Sequence, residues 1–139
     1  MTDPRIQALS FTGSSPVGWG LRARAGRKKL SLELGGNGAV IVHRDADLAY
    51  AAERCSFGGF LLAGQVCASV QRVYVHEHVA EEFTSLFLER IATIRTGDPL
   101  DEETTMGPML SAHAAVSAES WVDEALAAGA RLLCGGTRE

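Results

Sequence analysis

The run Ala39-Val40-Ile41-Val42 constrains this chain most, because four consecutive apolar residues, three of them β-branched, fit a strand covered on both faces. Such a strand cannot stand alone. Asp45 or Asp47 is placed to cap a following helix, with Leu48, Ala51, Ala52 and Cys55 along one face. Gly58-Gly59 should weaken that helix and Gly64 end it. Val70 to Val75 then alternates and is rich in β-branched residues, which predicts another strand. A strand, a helix and a strand in succession make a βαβ unit, and that unit requires parallel pairing.

The same alternation runs through the rest of the chain. Ala8 to Phe11 predicts a strand, Thr12-Gly13-Ser14-Ser15 a turn, and Pro16 the first turn of a helix reaching about Ala25, stopped by Gly26. Leu30 to Leu34 predicts a strand broken by Gly35-Gly36. Val79, Phe83, Leu86, Phe87, Ile91 and Ile94 fall at helical spacing, with Glu81, Glu82, Glu89 and Arg90 outside and Gly97-Asp98-Pro99 as the stop. The polar loop 101–107 leads to a helix over 111–128, and Arg131 to Cys134 predicts a last strand. The expected class is α/β, three-layered, with a largely parallel sheet.

A length of 139 residues suffices for a sizeable core, and a net charge of −4 with no basic block beyond Arg27-Lys28-Lys29 argues against nucleic acid or an anionic membrane as partner. No apolar run approaches the roughly 20 residues of a membrane span, and the start of the chain lacks a signal-peptide pattern. Three cysteines, irregularly spaced, suit a reduced, cytoplasmic protein better than a disulfide framework.

Two residues invite chemistry. Cys67 follows a glycine turn in Gly64-Gln65-Val66-Cys67 and precedes a strand, a place where a thiol can be exposed and reactive. A cysteine in such a segment is otherwise a small core hydrophobe, which is the expectation for Cys55 on its helix face and Cys134 in its strand. Glu33, in Leu32-Glu33-Leu34-Gly35-Gly36, is the lone acid of an apolar strand. Burial there would favour a general base, whereas an edge position would leave it a solvated carboxylate. Phe11-Thr12-Gly13-Ser14 before a helix start can offer N–H groups and a hydroxyl to a phosphate, or be an ordinary capped turn. Gly18-Trp19-Gly20-Leu21-Arg22-Ala23 fits the dinucleotide pattern G-x-G-x-x-A but follows Pro16-Val17 rather than a strand, so it is rejected as a phosphate loop. His76-Glu77-His78, His43 and His113 lack the spacing of a metal site, and all four histidines are expected at the surface.

In order and spacing, Phe11-Thr12-Gly13-Ser14, Leu32 to Gly36, Asp45-Ala46-Asp47-Leu48, Gly64-Gln65-Val66-Cys67, Gly97-Asp98-Pro99-Leu100 and Gly107-Pro108 resemble the aldehyde dehydrogenase superfamily over about residues 8–136. The resemblance implies a partial aldehyde dehydrogenase-like fold, with residues 1–36 closing a dinucleotide-binding domain and residues 37–139 opening a catalytic domain. It implies an active site in the crevice between those domains, at strand C-termini as is usual for open sheets. It makes Cys67 the nucleophile and Glu33 the general base. Gly13, Ser14, Val17, Gly18 and Leu34 fall on the cofactor side, and the cofactor is NAD or NADP. The implied reaction is oxidation of a small aldehyde to an acid. CoA-acylating relatives generally lack a carboxylate at the Glu33 position.

The chain also departs from the family. Leu62 stands where many relatives have Asn, and Asn37 where Lys is common. Family enzymes are several times longer, and nothing here matches their segments supplying the oxyanion-hole Asn, the ribose-binding Lys or the downstream Glu-x-Phe-Gly-Pro. The expectation is a fragment inactive alone, or, in a non-enzyme reading, a truncated module for binding or assembly through its exposed sheet edges, with homo-oligomers possible.

Overall fold

The computed structural model describes residues 2–138. It comprises two compact units, residues 1–37 and residues 38–139, each built on a two-stranded parallel sheet. Parallel pairing and the α/β class follow the alternation in the sequence.

In the first unit, β1 (Ala8–Thr12) runs beside β2 (Lys29–Glu33), with Leu9 opposite Leu30, Phe11 opposite Leu32 and Thr12 opposite Glu33. These apolar pairs alternate with exposed residues, so one face of the ribbon is covered and the other is wet. The crossover is α1 (Ser15–Arg24). Pro16 sits in its first turn, Arg22 and Arg24 lie at its C-terminal end, where cations suit the helix dipole, and Gly26 leaves it at φ 60°. The Lys28 ammonium donates to the carbonyls of Asp3 (2.7 Å) and Ile6, tying the leading segment to the sheet.

The second unit holds the core. In it β3 (Gly38–Val42) pairs with β4 (Val70–Val75), joined by α2 (Leu48–Phe60). Asp47 caps α2 by accepting from the Tyr50 N–H at 3.0 Å, whereas Asp45 instead meets His43 Nδ1 at 2.8 Å. Val42, Ala52, Cys55 and Phe83 are almost wholly buried, packed by Val40, Val73, Val75, Leu86 and Phe87. Phe83 and Phe87 of α3 (Ala80–Ile91) stack with centroids 5.6 Å apart. The helices cover only the face bearing Val40 and Val42. Ile41, pointing the other way, is 79% exposed. α4 (Ala112–Ala127), capped by the Ser111 hydroxyl on the Ala114 N–H at 3.2 Å, buries none of its residues.

Several expectations fail for local reasons. Gly58-Gly59 lie inside α2, which ends at Phe60, ahead of Gly64. A Cβ on Gly58 would stand 2.9 Å from a Val70 methyl, so the glycines let the helix lie against β4. α3 stops at Ile91, three residues before the apolar spacing does, and Thr93 and Ile94 turn off it through bonds to Arg90 and Ile91 carbonyls. Arg131 to Cys134 forms no strand: no ladder partner lies beside it among the described residues, and Arg138 beyond it pairs with Glu119 of α4 at 2.7 Å. Cys134 is accordingly exposed rather than core. His43, His78 and His113 are exposed, and His76 is half-buried, its ring packed edge-on to His43 (5.2 Å) and close to His78 (4.9 Å).

Candidate active site

The site residues fall into the two units and are described within each. In the first, the C-terminal ends of β1 and β2 gather most of them. Thr12 and Glu33 are register partners, and the Glu33 carbonyl accepts from the Gly13 N–H at 3.0 Å. That bond fixes the start of the turn which delivers Ser14 to the N-terminus of α1. Ser14 has extended backbone, and its carbonyl accepts from the Gly18 N–H at 3.0 Å, while its side chain makes no capping bond. The first turn of α1 therefore presents donors and a hydroxyl to solvent beside an exposed Val17.

Gly18 is buried beneath Leu34, and a Cβ there would lie 2.5 Å from a Leu34 methyl. Leu34 thus reaches across the start of α1 only because residue 18 has no side chain. Gly18 and Gly20 both lie inside α1, away from any strand-to-helix turn. The rejected dinucleotide match is therefore helical packing. The five residues expected on the cofactor side, Gly13, Ser14, Val17, Gly18 and Leu34, share one end of this unit. The Glu33 side chain is exposed here. Of the two readings open for a lone acid in this strand, the structure has the solvated carboxylate, on a strand that pairs only with β1 among the described strands.

In the second unit, Cys67 stands on a tight turn between α2 and β4. α2 ends at Phe60, and the chain then coils the other way: Leu62 and Ala63 adopt φ 51° and 55°, followed by Gly64 at φ 73°. Two consecutive non-glycine residues in the left-handed region are costly, on the order of 1–2 kcal/mol each. Surrounding bonds hold them there. The Ser69 N–H donates to the Val66 carbonyl at 3.0 Å, closing a four-residue turn with Cys67 second. Ser69 is 2% exposed and its hydroxyl donates to the Gly59 carbonyl at 3.3 Å. The Cys67 thiol is exposed. It lies at the N-terminal end of β4, not at a strand C-terminus, so the open-sheet rule locates Glu33 and Ser14 but not the thiol.

Sequence reasoning passed over Gln65, whose side chain joins this turn to Leu110, and Ser69, the anchor of its far end. Gln65 lies within the quoted motif, but its partner 45 positions away carries no local signal.

Such features define a class: an α/β protein with an uncapped helix N-terminus after a parallel strand in one unit and an accessible thiol on a pinned turn in the other. The chain belongs to the aldehyde dehydrogenase family, whose model matches residues 1–139. It is 46% identical over 134 residues to a 3-sulfolactaldehyde dehydrogenase of Priestia megaterium, covering 96% of this chain and 28% of that protein. Among solved structures it resembles glyceraldehyde-3-phosphate dehydrogenase of Methanocaldococcus jannaschii complexed with NADP, at TM-score 0.95 and 42% identity over 99% of this chain and 30% of the other. It also resembles an NAD-dependent aldehyde dehydrogenase of Sinorhizobium meliloti, at TM-score 0.95 and 38% identity over 99% and 28%. The chain thus spans less than a third of the length of the relatives it matches. No helix among the described residues is long and apolar enough to cross a membrane.

Proposed function

We propose that this chain carries the nucleophile and the general base of an NAD(P)-dependent oxidation of a small aldehyde to its carboxylic acid. The observation that carries the reading is the exposed Cys67 thiol on a turn held from both sides, within a chain of this family. Residues 1–37 would belong to the dinucleotide-binding part and residues 38–139 to the catalytic part. The reaction would take place in the reduced cytoplasm, where Cys67 stays a thiol.

As thiolate, Cys67 adds to the aldehyde carbon and moves an electron pair onto the carbonyl oxygen. Collapse of that adduct expels hydride and leaves a thioester on Cys67. NAD(P)+ supplies the hydride acceptor. The first unit suits such a cofactor: the open first turn of α1, the free Ser14 hydroxyl and Val17 stand where a pyrophosphate and its nucleoside can lie, and Gly18 admits Leu34 beside them. Glu33 takes a proton from water, the water oxygen attacks the thioester carbon, and the acid departs with Cys67 regenerated. A carboxylate at position 33 favours this hydrolysis over transfer of the acyl group to CoA.

The test has two arms. The purified 139-residue chain mixed with aldehyde and NAD+ or NADP+ should form little or no reduced cofactor, because the matching enzymes use a polypeptide more than three times longer. In a chimera where this chain replaces the matching segment of the Priestia relative, Cys67→Ala should abolish turnover. Glu33→Gln there should retain the burst of reduced cofactor and slow the steady state. A Cys67→Ala chimera that still turns over would end the reading.

A second reading has its own observation. Ile41 and Tyr74 lie exposed on the uncovered face of β3 and β4, and a parallel sheet is normally covered on both faces. That face favours a non-catalytic role in assembly or self-association.

A further inference from the structure

The turn bearing Cys67 is held by a side chain that takes no part in the chemistry above. Both the backbone N–H of Gln65 and its side-chain Nε2 donate to the Leu62 carbonyl, at 3.1 and 3.0 Å. The Gln65 Oε1 accepts from the Leu110 N–H at 2.9 Å. The backbone partners fix which way the amide points, since a carbonyl can only accept and an N–H can only donate. One planar group therefore holds a left-handed residue on one side and a segment 45 positions away on the other.

We propose that Gln65 is a positioning residue for Cys67: its carboxamide ties the turn at Leu62 to the chain at Leu110 and so sets where the thiol stands. The proposal rests on Cys67 being the nucleophile, as argued above. Few side chains satisfy both ends. An ionised Glu accepts but cannot donate, Lys donates but cannot accept, and Asn is one methylene too short to keep the same reach. Gln65 is also adjacent to the Val66–Ser69 turn, so displacement of residue 65 passes directly to Cys67. The Ser69 hydroxyl, bonded to the Gly59 carbonyl, anchors the other end independently of Gln65, so a substitution at residue 65 releases one side of the turn and leaves the other held.

The test uses the 139-residue chain with site-resolved hydrogen exchange at the Leu110 amide and peptide mapping of iodoacetamide labelling. The exposed Cys134 serves as internal rate standard, and the buried Cys55 reports unfolding. Gln65→Leu should speed Leu110 exchange by about fivefold, the factor expected of one hydrogen bond of ordinary net strength. It should also change the Cys67-to-Cys134 labelling ratio, with Cys55 still protected. Gln65→Glu, which keeps the acceptor, should retain Leu110 protection while losing the bond to Leu62. Unchanged Leu110 exchange in Gln65→Leu, or a shifted exchange rate with an unchanged labelling ratio, would overturn the proposal. Failure of the nucleophile reading shows up elsewhere, as a Cys67→Ala chimera that remains active.

Discussion

Three thiols of one residue type occupy three different environments, and their chemistry divides accordingly. Cys55 is 3% exposed among Val42, Ala52 and Phe83, and burial pushes its thiol above the ordinary value. Cys67 and Cys134 are exposed. Iodoacetamide at neutral pH should therefore label Cys67 and Cys134 while sparing Cys55 until the protein unfolds, as read by peptide mass mapping. The same burial gives a pH dependence. The folded state holds the Cys55 proton to higher pH than the unfolded chain, so this contribution to stability is present below the ordinary thiol range. It is lost as pH rises through that range toward the folded value. Urea denaturation from pH 7 to 10 should show stability falling less steeply in Cys55→Ala than in the parent, although the variant starts lower by about 1 kcal/mol for the vacated volume. Cys55 was legible because the heptad-like spacing around it gave a buried face. Cys134 was misread because a local apolar run says nothing about whether a partner strand exists.

At the scale of an element, the segment from Leu61 to Ser69 departs furthest from local preference. Glycine is the ordinary occupant of a left-handed position, yet Leu62 and Ala63 both occupy one. Leu62 is mostly exposed, so little packing depends on its side chain. Leu62→Gly should therefore stabilise the second unit by about 0.5–1 kcal/mol, while Gly64→Ala, introducing a Cβ at φ 73°, should destabilise it by about 1–2 kcal/mol. Opposite signs in chemical denaturation would establish that backbone strain, not side-chain contact, governs this turn. If Leu62→Gly proved as destabilising as Gly64→Ala, Leu62 would be held by packing instead. The helix and strand flanking the turn were readable from apolar period, alternation and a cap: Asp47 caps α2 as its type suggests. The turn itself was not, because its shape comes from Gln65, Ser69 and Gly59 acting across the sequence.

For the whole molecule, the uncovered face of the second unit's sheet dominates. Ile41 at 79% and Tyr74 at 54% exposure stand on it, and both strands have an open edge. Self-association should follow at micromolar concentration and above, and Ile41→Lys should shift it toward monomer in sedimentation velocity. An Ile41→Lys chain that associates as strongly as the parent would place the contact elsewhere.

Family, class and the order of elements as far as the last helix were determined by the sequence alone, because strand and helix periods, caps and the spacing of Gly13-Ser14, Glu33 and Cys67 are local or linear properties. The expectation that Ala39 to Val42 is covered on both faces was equally local, and the tertiary structure refused it, leaving Ile41 in solvent. Tertiary structure also decided that Glu33 is exposed, that Arg131 to Cys134 has no strand to join, and that Cys67 stands at the N-terminal end of its strand. Burial and pairing depend on what lies across from a residue, and a single chain read in order does not contain that information.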